Sequence, residues 1–353
     1  MWERSQRQAT VGDVARLAGV SKATAARVLG QYGSSSDAAR AAVHAAAAAL
    51  SYRPNASAKT MNTGRSESIG VISRNVVNPG FAVALDGIMA VGAAAGVSVV
   101  VAGSEYDLDL ERAAIESLLN KRVDALIVSP ARWDVADHID AAHRAGVPIV
   151  LLERRATGLE VPVVQSDMAG AGRVIGRHLR SLGHTRVGMV STFPHAAPYE
   201  LGEETGSSVM TDRLQAVYGT YAEAGIRPST ELVRFAARTS TAIQREVSAL
   251  LDHDDPPTAL IASDGQIGIE VLTVLRARGV SIPRDISVIM FEDAPWATLV
   301  DPPLTVVVQP TYEMGRTAAE VALAAVGTEG RVQRVPLFPA ELVLRDSVGP
   351  APR

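Results

Sequence analysis

The stretch from Ala9 to Gly30, ATVGDVARLAGVSKATAARVLG, constrains this chain more than any other. Thr10 is placed to N-cap a helix: its hydroxyl can take a backbone N–H that lacks an intrahelical partner, while Asp13, three residues on, reaches back. Val14, Leu17 and Ala18 then recur at helical spacing and predict one apolar face. Gly19 ends the helix, since glycine takes a left-handed C-cap at no steric cost. Ser21 caps a second helix whose buried side is Ala25, Val28 and Leu29, leaving Lys22, Ala23, Thr24 and Arg27 elsewhere on its surface. Two short helices about a glycine turn describe a helix-turn-helix or, equally in form, any helical hairpin. In the former, the N-terminal end of the second helix enters the major groove of DNA, so Lys22 and Ala23 would face base edges.

Charge favours the DNA-binding form. The chain of 353 residues carries a formal net charge of −4, but the sign is divided unevenly along it. Residues 1–65 hold nine Arg or Lys against three acids, a segment of +6 on a remainder of −10. A basic end on an acidic body is what phosphate binding by one domain needs. The length suits two or three domains, and 47% hydrophobic with 4% aromatic residues predicts cores of small aliphatic side chains. There is no cysteine, which excludes disulfides and thiolate sites. MWERSQRQ at the start lacks the apolar run of a signal peptide, and Gly87 to Ser104 reads as a helix end running into a strand rather than a membrane span. A cytoplasmic location, with no membrane association, is the expectation.

Ser36 or Asp37 starts a third helix with Val43, Ala46, Ala47 and Leu50 as its packing stripe, and His44 is a solvated surface residue. Asn55 to Thr63 has poor intrinsic helicity and is too short to be stably helical alone. From Glu67 the pattern changes to strands alternating with helices, the grammar of a parallel sheet covered on both faces. Ile69–Ile72, Val97–Val101, Ala125–Val128, Ile149–Leu152 and Val161–Val164 form one series of strands. Val187–Val190, Ala259–Ala262, Ser287–Met290 and Thr305–Val308 form a second. Two series predict two α/β lobes with a cleft between them, and ligands of open parallel sheets sit beyond the C-terminal strand ends.

The string DVARLAGVSKAT, followed by Arg27-Val28-Leu29 and by Tyr52-Arg53-Pro54-Asn55, resembles the headpiece of the lactose-repressor/galactose-repressor family. The resemblance implies an all-α headpiece on a core of two doubly wound lobes like that of periplasmic sugar-binding proteins. It also implies a homodimer that binds palindromic operator DNA as a repressor and responds to a small polar effector, most often a sugar. Residues 1–54 would be the headpiece, 55–65 a hinge segment, 66–346 the effector-binding and dimerisation core, and 347–353 a tail without the leucine heptads of a tetramerising coiled coil. In the family the hinge segment orders when two copies meet in the minor groove and wedges an apolar side chain between base pairs; Met61 stands there, where leucine is usual. A plain linker is the other reading. The candidate DNA contacts are Thr10, Ser21, Lys22, Ala23, Thr24, Arg27, Asn55, Lys59 and Met61.

The resemblance also places an effector site. Asn78-Pro79-Gly80-Phe81 is similar to the family's NPFF-type loop, with Phe81 lining the pocket. Ser129 closes the third strand, and Glu153 with Arg154 stands where the family usually has Asp-Arg. Arg213 matches an arginine that clamps effector hydroxyls or carboxylates, and Ser263-Asp264 matches an Asn-Asp or Ser-Asp pair. Phe291-Glu292-Asp293 is similar to Phe-Asp-Asp, and Asp301 to Pro310, with Gln309, matches a DPPLTTVRQP run. Carboxylates and amides with one arginine fork suit a polyol. The chain departs from the family at Gly12, Ala26 and Gly30 in the headpiece, and at the longer Glu153 and Glu292, at Met290 and across Thr192–Met210 in the core.

Gly170 to Gly176, GAGRVIG, approaches a dinucleotide fingerprint, but has one residue too many before its last glycine and no acidic residue at a fitting strand end. His138 and His143 lack metal-ligand spacing with an acidic third partner. No cofactor and no metal are expected. An α/β enzyme with an accessory DNA-binding domain is the alternative to a regulator.

Overall fold

The computed structural model describes residues 9–30, 33–53, 65–193, 195, 198–327 and 334–352. The chain divides into two compact units, a headpiece ending at Glu67 and a core beginning at Ser68.

In the headpiece, α1 (Val11–Leu17), α2 (Lys22–Leu29) and α3 (Asp37–Ala49) enclose Val14, Ala15, Ala25, Val28, Val43 and Ala46. Thr10 and Asp13 close a reciprocal capping box, with Asp13 N–H donating to Thr10 Oγ1 at 3.3 Å and Thr10 N–H to Asp13 Oδ2 at 3.0 Å. Ser21 and Ser36 cap α2 and α3, and Gly19 takes the left-handed turn at φ 66°. Leu17 departs from the expected apolar face: it is 56% exposed, and Ala15 is buried in its place. Small side chains at Ala15 and Ala25 let the helices approach, which turns the buried arc of α1 about Val14 away from Leu17.

The core is two parallel sheets. Lobe 1 orders its strands β2 (Ser98–Gly103), β1 (Ser68–Ser73), β3 (Ala125–Val128), β4 (Ile149–Leu152) and β5 (Val163–Val164), all parallel. Between them run α4 (Pro79–Ala95), α5 (Leu108–Asn120) and α6 (Asp137–Arg144). Lobe 2 contains α7 (Met168–Ser181), β6 (Val187–Ser191), α8 (Ser208–Ala222), β7 (Val233–Phe235), α9 (Ser240–Leu251), β8 (Ala259–Ala262), α10 (Gly265–Ala277), β9 (Ser287–Phe291) and β10 (Thr305–Val308). Its sheet runs β11-β10-β9-β8-β6-β7, where β11 (Glu341–Val343) is the one antiparallel member. β7 and β11 are additions to the expected strands. Each is three residues long, too short to leave an alternating pattern of its own.

The lobes are not consecutive in sequence. α11 (Thr311–Ala325) returns from lobe 2 and packs Met314, Ala318, Ala319, Val321 and Ala322 against Ile69, Val71 and Ile127 of lobe 1. Two of the crossing segments run side by side: Phe338 N–H donates to the Gln165 carbonyl at 3.0 Å, and the Phe338 carbonyl accepts Asp167 N–H at 2.8 Å. The residues expected to form a tail are built into lobe 2, where Ser347 Oγ donates to the Val288 carbonyl at 2.6 Å and Ala351 N–H to that of Leu182 at 2.9 Å.

Two glycines of GAGRVIG serve helix packing. A Cβ on Gly172 would stand 2.8 Å from Ala216 Cβ, and one on Gly176 would strike Thr220 Oγ1. Gly172 and Gly176, one turn apart, thus let α7 lie directly on α8. Among the described residues no helix is long and apolar enough to cross a membrane.

Candidate functional site

In the headpiece, Lys22, Ala23 and Arg27 lie exposed on α2. Arg27 Nε donates to the Ala23 carbonyl at 3.3 Å, which lays its side chain along the helix. Thr24 is half-buried and its hydroxyl is hydrogen-bonded to Ser21 Oγ at 2.8 Å. Thr10 and Ser21 have their hydroxyls engaged as caps, so a contact with DNA from these two would come at the helix N-termini they close. Asn55, Lys59 and Met61, with the hinge reading attached to them, lie outside the described residues.

In the core, a cavity of about 360 Å³ lies between the lobes at the C-terminal strand ends, and Phe81, Ser129, Glu153, Arg213, Ser263, Asp264, Glu292 and Gln309 all line it. That volume falls within the ~300–1,000 Å³ of small-molecule pockets. The end of nearly every parallel strand contributes. β1 delivers Arg74, β2 Tyr106, β3 Ser129, β4 Glu153 and Arg154, β6 Phe193, β8 Ser263 and Asp264, β9 Glu292 and β10 Gln309. Arg213 comes instead from α8. The Asn78–Phe81 segment is a helix start rather than a loop: Asn78 caps α4 by accepting Phe81 N–H at 2.9 Å, and Pro79 occupies its first turn.

The polar groups sort into those already satisfied and those that are not. Arg74 donates to Ser129 Oγ at 3.1 Å and to Glu153 Oε2 at 2.5 Å, tying two expected ligand contacts to each other. Asp264 caps α10, accepting Ile267 N–H at 3.0 Å. Glu292 was expected to accept from an effector. Instead its carboxylate accepts Gly265 N–H at 3.0 Å in lobe 2 and Gly80 N–H at 3.2 Å in lobe 1, with the Asn78 amide at 3.4 Å. The extra methylene gives it that reach. Arg155 adds a second tie between lobes, a fork on Asp212 at 3.0 and 2.9 Å.

Arg213 donates to the Ser263 carbonyl at 2.9 Å and lies 4.2 Å above the Phe291 ring. Burial lowers its pKa to about 10, although Glu153, Asp264 and Glu292 pull the other way. Arg154 is 2% exposed and lies 4.3 Å above Phe193; its Nε and Nη1 have no hydrogen-bond partner. Burial pushes its pKa far down, and Arg74 and Arg213 add to the shift. For Glu153 burial opposes the charge, but the guanidiniums of Arg74, Arg154 and Arg213 outweigh it and hold its carboxyl below the usual range. Burial pushes Glu292 up, against the amides that bind it.

Strain gathers here. Glu153 (φ 72°), Tyr106 (φ 65°) and Glu292 (φ 141°) are non-glycine residues at positive φ, and all three line the cavity. Arg74 and Tyr106 line the cavity and were not among the expected site residues, and the Arg238 guanidinium lies over the Tyr106 ring. The signal for both was their position, since Arg74 directly follows β1 and Tyr106 closely trails β2. Met290 is accommodated by Gly268: a Cβ there would meet the thioether sulfur at 2.5 Å. Half-buried His138 is engaged with Glu111 at 2.7 Å, and no three metal-ligating side chains gather among the described residues.

Comparison with known proteins agrees with this geometry. Residues 10–55 match the family described as bacterial regulatory proteins, lacI family, and residues 177–348 match the periplasmic binding protein-like domain. The HTH-type transcriptional regulator GalR of Escherichia coli (strain K12) is 32% identical over 340 residues, 96% of each chain. The HTH-type transcriptional repressor CytR of the same strain is 27% identical over 350 residues, 99% of each. Among solved structures, the transcriptional regulator CelR–cellobiose complex is 26% identical with a TM-score of 0.69, over 96% of this chain and 99% of that one. The lac repressor dimer bound to operator and the anti-inducer ONPF shares the fold, with a TM-score of 0.82 at 24% identity over 97% of this chain and 100% of that one. These likenesses set aside the reading as an enzyme: the chain belongs to the lacI family of bacterial regulatory proteins and is a ligand-responsive, DNA-binding transcriptional regulator.

Proposed function

We propose that the protein is a cytoplasmic, homodimeric repressor whose headpieces bind a palindromic operator and whose cleft takes a small polyol, a sugar being the first class to test. The convergence of strand-end residues from both lobes on one cavity carries the reading. A ligand there contacts both lobes at once, so its binding energy couples directly to their relative position. GalR, CelR with cellobiose and the operator-bound lac repressor supply the analogy. In the headpiece, Lys22, Ala23, Thr24 and Arg27 on α2 would read or clamp the major groove, with Thr10 and Ser21 at the helix starts. Asn55, Lys59 and Met61 would serve the minor groove and backbone.

The test is sequential. Selection from random DNA should yield a palindrome bound by the full-length chain, and a panel of sugars and polyols should then change its affinity for that palindrome. A selected site without two-fold symmetry would overturn the dimer reading. A change produced by nucleosides or amino acids, with none from any polyol, would overturn the effector class while leaving the regulator.

A further inference from the structure

The acids around the cavity have partners and two of the arginines lack acidic ones. Glu153 is held by Arg74, Asp293 by a fork from Arg345 at 2.9 and 2.7 Å, Glu292 by two backbone amides and Asn78, and Asp264 by the start of α10. Arg154 and Arg213 have no ion pair among the described residues, although both are almost wholly buried. A buried cation without a counter-ion is expensive, and it is kept where something outside the chain completes it. Both guanidinium carbons lie over phenylalanine rings of lobe 2, Arg154 at 4.3 Å from the Phe193 centroid and Arg213 at 4.2 Å from that of Phe291. The ring faces attract these cations, and each guanidinium carries its N–H donors as a rigid planar fork. Ser263 Oγ, also on the cavity wall and buried without a partner, is a further donor beside them.

We propose that the effector is an anion: a polyol of monosaccharide size bearing a carboxylate or phosphate, whose oxygens are received by Arg154 and Arg213 with Ser263 Oγ. This rests on the reading of the cleft as the effector site and narrows the ligand within it. The orphaned Nε and Nη1 of Arg154 gain acceptors, and the charge left unpaired between the lobes is neutralised when the ligand binds. A neutral sugar would leave both guanidiniums without a direct ion pair.

The experiment is thermal-shift and calorimetric titration of the full-length chain with glucose and galactose, their uronic acids, glucose 6-phosphate and inorganic phosphate. A uronate or the sugar phosphate should raise Tm and bind, where its neutral parent does not; which of the two does so separates carboxylate from phosphate. Arg154→Gln should weaken that ligand about 10- to 100-fold, the change that loss of a hydrogen bond to a charged group corresponds to, and Arg154→Lys should weaken it less. Neutral sugars binding as tightly as their acids, or Arg154→Gln binding the acid within a factor of about two, well under the loss of one such bond, would overturn the proposal and leave the polyol reading standing. If inorganic phosphate alone matched the best ligand, the anion site would stand and the polyol would fall. No shift from any probe would overturn both. The panel on the unmutated chain keeps the test independent of how well Arg154→Gln folds.

Discussion

Lys22 and His138 show how the same ionisable chemistry serves different ends by position. Lys22 is exposed at the start of α2, with its long stem free to reach a groove. If it contacts guanine acceptors, Lys22→Ala should cost about 1–3 kcal/mol and relax preference at one base pair per half-site. A selected-site profile identical to that of the parent chain would mean that α2 meets DNA in another orientation. His138 lies against buried Glu111, whose other oxygen accepts Ala131 N–H at 2.6 Å. Burial opposes its charge, but the hydrogen bond and charge of Glu111, and then those of Asp137, outweigh it and raise the pKa above the ordinary 6.5. The folded state therefore holds the proton more tightly than the unfolded chain. The stability this contributes is complete below about pH 6.5 and is lost as pH rises through the raised value. Urea midpoints measured across that interval should fall with pH in the parent chain and flatten in His138→Gln. An unchanged slope in the variant would assign the pH dependence to other groups.

At the scale of elements, the pair α7–α8 turns a glycine motif into a stability prediction. Ordinarily Gly→Ala within a helix stabilises by up to about 1 kcal/mol. Gly176→Ala should do the reverse, because its methyl meets Thr220 Oγ1 and the Val217 carbonyl, and overpacking of this kind costs about 1–3 kcal/mol. Gly219→Ala, on α8 with nothing within 4 Å, is the matched control and should be neutral or stabilising. Equal shifts in chemical denaturation for the two would refute close packing as the reason for the glycine. The same contrast explains what could be read from the chain alone. Capping by Thr10, Ser21 and Ser36, and strands such as Ala125–Val128 and Ala259–Ala262, are decided by neighbours in sequence. The return of α11 to lobe 1, the pairing of β11 and the burial of Ala15 in place of Leu17 depend on partners distant in sequence, which no local pattern encodes. The cavity wall was legible as strand-end residues. The use of Glu292 was not, since its partners Gly80 and Asn78 stand more than two hundred positions away.

Across the whole molecule, two behaviours follow from charge and from the cleft. The +6 of residues 1–65 against −10 in the remainder should make operator affinity fall linearly with log salt concentration, as bound phosphates release counterions. Affinity indifferent to salt would remove the electrostatic basis for DNA binding. Closure is the second behaviour. Glu292 and the Arg155–Asp212 fork join the lobes, and Arg154 lies across the cleft over Phe193. Contacts of this kind between the lobes raise the population of the closed form, which lowers the energy that the ligand must spend on closing it. Glu292→Asp tests this with one methylene. The shorter carboxylate can keep Gly265 N–H in its own lobe but withdraws from Gly80 N–H and Asn78 in the other. Losing one hydrogen bond to a charged group, about 1.5–3 kcal/mol, should lower the closed-to-open ratio roughly 10- to 100-fold. Amide exchange over residues 78–84 should then be faster in Glu292→Asp than in the parent chain, and a bound effector should restore protection by holding the lobes from within. Exchange there that is the same in both proteins would mean that Glu292 does not hold the cleft shut, and the work of closure would pass to the Arg155–Asp212 fork.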